Sequence, residues 1–149
     1  MSKLRTKRLL SQPSLASDSR GAVIIEFAIL APLLFGLMIG VVQVGMGMQA
    51  YNSMRSIAGD TARYAVVEYQ KGNSPGNSTI EAEAIEIATS DEYRLNSSVE
   101  VDVTNAATER FDGAWEKTIT ITYTVPSVLP LFDWTSPTLT FTRPIFLLK

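Results

Sequence analysis

The chain has 149 residues, 13 Lys and Arg against 15 Asp and Glu, and neither Cys nor His. That length suits one modest domain plus an anchor. The missing side chains exclude disulfides, Cys- or His-based zinc sites and Ser-His or Cys-His nucleophile pairs.

Residues Met1–Gly21 are basic and polar, with Lys3, Arg5, Lys7, Arg8 and Arg20 against Asp18, whereas the remainder is acidic with a net charge of −6. Bases at one end of a span keep that end in the cytoplasm, so the acidic part is expected across the membrane. An acidic domain also argues against nucleic acid as a partner.

Residues Phe27–Met48 carry no charge, and Gln43 is the one clearly polar residue among them. As a helix, 22 residues span about 33 Å, enough for a hydrocarbon core. An ordinary secretory signal would be cut after this run, and the best site, Met48-Gln49-Ala50, has a large residue where a small one is wanted. A retained anchor fits better. Pro32 removes one helix hydrogen bond and is expected to kink or loosen the helix. Gly36 and Gly40 read either as a close helix–helix contact or as the ordinary frequency of Gly in membrane helices.

Tyr51, Met54, Ile57, Ala58, Ala62, Ala65 and Val66 recur at helical spacing, which predicts one long helix from about Ala22 to Gln70. Turn residues over Lys71–Asn77 end it. Ser78-Thr79-Ile80-Glu81 fits a capping box opening a short helix, with Ile80, Ala84, Ile85, Ile87 and Ala88 apolar and Glu81, Glu83 and Glu86 wet. That helix should end near Ser90–Tyr93. Val99–Thr104, Lys117–Val125 and Thr138–Arg143 alternate with period two and read as strands. Asp112-Gly113 connects the first two. Pro144 limits Ile145–Leu148 to an edge position if it pairs at all. The expected fold is α+β: a long N-terminal helix packed, with a short helix, on an antiparallel sheet of about three strands. The parts are residues 1–21 as a basic leader, 22–48 as the transmembrane helix, 49–71 as its extension and 72–149 as a small extracytoplasmic domain.

Glu26 stands near the head of the apolar run. A carboxylate there either snorkels to headgroups or serves a function that needs a cation. Cleavage after Gly21 would create a charged α-amino group at Ala22. Residues 22 and 26 share a helix face, so Glu26 could pair with that amine or with the amine of a neighbouring subunit.

Gly21, four residues, then Glu26-Phe27 at the head of an apolar helix behind a basic leader resembles a type IV prepilin. Arg20-Gly21-Ala22, Glu26-Phe27-Ala28, Ala31-Pro32-Leu33-Leu34 and Ile57–Ala65 together resemble TadE-like pseudopilins of the Tad (tight adherence, Flp-type) pilus system. The resemblance covers Arg20–Ala65. It implies a minor pilin or pseudopilin, cut at Gly21–Ala22 by a prepilin peptidase, with Glu26 and Phe27 serving subunit assembly. The implied partners are other pilin-like subunits, the prepilin peptidase, the inner-membrane assembly platform and membrane lipid. No catalysis, cofactor or metal is implied. The implied location is the bacterial inner membrane, single-pass, with the N-terminus cytoplasmic and the C-terminal domain periplasmic, or an extracellular pilus after assembly. Gln43 departs from the acid that many relatives carry before a Gly. The chain is longer than the major Flp pilin and shorter than TadG-like relatives.

An uncleaved single-pass protein with a ligand- or partner-binding outer domain is the alternative, and a carboxylate-only hydrolase is a third. Arg63-Tyr64 reads as a solvated helix face, with Tyr64 packing on the sheet. The ten acids between Glu81 and Glu116 match no EF-hand spacing and read as wet surface. Asn77-Ser78-Thr79 and Asn96-Ser97-Ser98 are formal glycosylation sequons. The Leu129–Trp134 loop could meet a partner or close the core.

Overall fold

The computed structural model describes residues 19–93, 95, 98–108, 110–128 and 136–148. Residues 1–18 of the leader, Asn96-Ser97 of the second sequon and the Leu129–Trp134 loop lie outside them. The elements in chain order are α1 (Ser19–Gln70), α2 (Asn77–Thr89), β1 (Val99–Asn105), β2 (Ala114–Thr124) and β3 (Thr138–Leu148). The fold is α+β, as the periodicities imply. The chain divides into two compact units, one up to Met38 and the other Ile39–Lys149.

The first unit holds the N-terminal half of α1. Its large apolar side chains stand open, from Val23 and Ile24 through Phe35 to Met38. The assigned helix continues through Pro32 without a break. α1 is long and apolar enough to cross a membrane.

The second unit is a two-layer sandwich. Its sheet is an antiparallel meander of order β1-β2-β3. Val101, Val103, Ile119, Ile121, Tyr123, Ile145 and Leu147 point from the sheet into one core with Ala50, Met54, Ile57, Ala58, Ala62 and Ala65 of α1 and Ile80, Ala84 and Ala88 of α2. Met54, Ile57, Ile80, Ile119, Ile121 and Leu147 are fully buried, each contributing about 1.5–3 kcal/mol. A three-stranded sheet is unstable without such cover. α2 lies over β1, and Tyr51 of α1 meets Phe141 of β3 edge to face at 5.7 Å.

Several local expectations need correction. The capping box does not form: the N-cap is Gly76, with no side-chain cap, and its carbonyl accepts from Thr79 and Ile80. The side chains that could have capped are used elsewhere. Asn77 Oδ1 accepts from Lys117 Nζ, and Glu81 Oε1 accepts from the Val103 amide of the edge strand β1 at 2.9 Å. Ile85 is exposed rather than buried. β2 starts at Ala114, three residues before its alternation becomes clean, because Ala114 and Glu116 are buried on the face opposite α1 and α2. β3 runs through Pro144, which pairs with Thr118 as an edge residue without breaking the strand. Glu116 is no wet acid: at 5% exposure it binds Arg110 Nη2 at 2.7 Å and the Arg110 amide at 3.2 Å. Arg110 also lies 5.9 Å over the Phe146 ring, which Phe111 meets edge-on.

Candidate functional site

The residues singled out at the head of the chain lie on one helix. α1 is described from Ser19, and the Gly21–Ala22 bond lies within it. A Cβ added at Gly21 would meet nothing within 4 Å. Packing in this chain therefore places no demand for glycine there. Ala22 and Glu26 follow at i and i+4 on one face. Glu26 and Phe27 are both exposed, amid apolar side chains that are open on every side of the helix. The two ion pairs among the described residues are Lys71–Glu68 and Arg110–Glu116, so Glu26 has no cation there.

Gln43 has a structural use that its sequence position only hinted at. Its Nε2 donates to the Pro126 carbonyl at 3.1 Å, and its Oε1 accepts from the Val128 amide at 3.0 Å. The side-chain amide thus pairs with the loop backbone as a neighbouring strand would. A lone polar residue inside an apolar run was the available signal.

The far end of the second unit holds a cavity of about 510 Å³ lined by Tyr69, Asn105, Trp115 and Lys117, among others. Lys117 Nζ donates to Asn105 Oδ1 at 2.9 Å and to Asn77, and burial pushes its pKa below the ordinary lysine value. Arg63 is exposed and Tyr64 half-buried; Tyr69 and Tyr93, rather than Tyr64, pack against the core. Among the described residues no group of three acids could hold a metal ion.

The geometry defines an α+β protein with an N-terminal helix long and apolar enough to cross a membrane. The family model described as TadE-like protein matches residues 21–63. That segment contains Gly21, Ala22, Glu26 and Phe27 and runs into the helix that carries the core. Over that segment the chain is similar to TadE-like proteins, as its resemblance implied. No curated protein and no solved structure gives a match.

Proposed function

We propose that this chain is a minor pilin or pseudopilin of a Tad-type pilus. It is made as a precursor with its basic leader in the cytoplasm and its sheet domain across the membrane. A prepilin peptidase cuts between Gly21 and Ala22, and the chain itself catalyses nothing. The new Ala22 amine and Glu26 then supply the charges by which apolar helices of pilin-like subunits assemble.

The carrying observation is the TadE-like match over residues 21–63 on a helix whose Gly21 has open space around it. A glycine that the fold does not need suits a residue read by another molecule. Glu26 is exposed on a helix apolar on all sides and has no ion pair among the described residues, which suits a cation supplied by the cleaved amine or by another subunit. Such a pair sets register more surely than it adds stability.

N-terminal sequencing of protein from membranes tests this. Wild type should begin at Ala22, and Gly21→Ala should keep the leader; an Ala22 N-terminus in that variant, or an intact leader in wild type, overturns the processing claim. The intact wild-type leader is also what the uncleaved single-pass reading expects. Glu26→Ala should be cut normally yet lose co-purification with other pilin-like subunits; unchanged co-purification removes the assembly role of Glu26.

A further inference from the structure

The second unit carries an arginine cluster on one side and an acidic helix on the other; Asp60, also exposed on α1, is engaged by the Tyr93 hydroxyl. Arg55 and Arg63 are exposed on α1, two turns apart, with Gly59 between them on the same line. Arg143 of β3 lays its guanidinium on that glycine: a Cβ at Gly59 would sit 3.3 Å from Nη1. Arg55 and Arg143 line, with Asn52, Ser56 and Phe141, a groove of about 550 Å³. None of the three arginines belongs to an ion pair among the described residues.

The other side is α2, which lies over β1. α2 carries Glu81, Glu83 and Glu86 and no base; Glu100 and Asp102 of β1 are exposed on the opposite face of the sheet, since their neighbours Val101 and Val103 face the core. Glu81 is engaged by Val103, while Glu83, Glu86, Glu100 and Asp102 have no ion-pair partner among the described residues.

Strand register puts the two sides at one level. Val103 pairs with Ile119, which pairs with Arg143; Asp102 pairs with Thr120, which pairs with Thr142. Arg143 thus stands level with Val103, whose amide Glu81 of α2 holds, so Arg143 and the α2 carboxylates lie on the helix-covered face at opposite edges of the sheet. Copies of one chain share whatever orientation α1 takes in a membrane, so they meet side to side. Sliding one domain alongside another then brings arginine forks to the height of carboxylates.

We propose that copies of this chain associate laterally through their sheet domains, the Arg55–Arg63–Arg143 side of one against the acidic α2 side of the next. Guanidinium–carboxylate forks give such contacts geometric specificity. The contact is head-to-tail, so it extends into rows rather than closing a dimer. It uses a different surface from the apolar helix and does not depend on cleavage after Gly21, so either claim can fail alone.

The chain has no Cys, so introduced pairs report cleanly. Thr104 and Thr142 are exposed on β1 and β3. Within one chain β2 separates them by about 10 Å, beyond disulfide reach. Oxidation of membranes holding full-length Thr104→Cys/Thr142→Cys protein should give a ladder of cross-linked copies. Arg55→Glu with Arg143→Glu should reduce the ladder about tenfold or more, and adding Glu83→Arg with Glu86→Arg should restore it. Monomer alone in the parent, or a ladder indifferent to these charges, overturns the proposal. Monomer alone, joined to loss of phosphatidylglycerol vesicle binding in the reversed variant, would assign the arginines to lipid phosphate instead.

Discussion

Tyr93 shows how a single contact ties the chain connection to the long helix. Its hydroxyl donates to Asp60 Oδ2 at 2.7 Å. That bond, ahead of burial, pushes the phenol from 10.0 to about 12. A raised folded pKa means the folded state holds the proton more tightly, so the stabilisation is complete below pH 10 and is lost as pH rises from 10 towards 12. Thermal unfolding of the full chain in detergent should therefore show Tyr93→Phe less stable by about 0.5–1 kcal/mol at pH 8. The difference should shrink above pH 10; a constant gap would refute the linkage. Such a pair is invisible along the sequence, since its members are 33 residues apart. Gly21 and Glu26 stand out in the sequence by local order alone: a small residue, a fixed gap and a charge in an apolar run. Glu116 was not, because its burial depends on the 106–113 connection folding back to bring Arg110 and Phe111 over Phe146.

At the scale of elements, the strands and helices were legible wherever burial has a clean period. Ile119, Ile121 and Tyr123 alternate with threonines because one face meets the helices. Boundaries failed where a side chain serves a distant element, as Asn77 and Glu81 do in place of a capping box. The exit of α1 is local and was read correctly as a turn. Its geometry is a Schellman motif: the Asn73 amide donates to the Glu68 carbonyl at 3.0 Å and the Gly72 amide to Tyr69 at 3.1 Å, with Gly72 at φ 84°. Glu68 also accepts from Lys71 and Asn73 side chains, and these bonds hold its pKa below the ordinary value. A Cβ at Gly72 would meet no atom within 4 Å, so the cost of Gly72→Ala is backbone strain alone. It should destabilise the chain by about 1 kcal/mol, read as a lower unfolding midpoint. An unchanged midpoint would mean the turn relaxes at no cost.

For the whole molecule, Gln43 decides where the apolar helix stops being free and the sheet domain begins. Up to Met38 the large apolar side chains of α1 are open, whereas Gln43 is half-buried and bonded twice to the backbone of the 125–128 segment. Those backbone groups cannot sit in hydrocarbon without such partners, because an unsatisfied amide or carbonyl there costs several kcal/mol. The clamp therefore lets residues 126–128 lie against a helix that is still apolar at Val44, Met46 and Met48. Gln43→Leu keeps the helix and lengthens its apolar run, but leaves the Pro126 carbonyl and the Val128 amide without those bonds. Hydrogen exchange on full-length protein in detergent should then show Val128 exchanging at least about fivefold faster, since a lost bond of about 1 kcal/mol corresponds to that factor. Tyr93 and the sheet amides should keep their protection, and the Ala22 N-terminus should still appear. Faster exchange spread through β2 and β3 would instead make Gln43 a requirement of the whole fold. Unchanged exchange at Val128 would show that the loop is held by Pro137, whose carbonyl already accepts from Val125 at 3.0 Å.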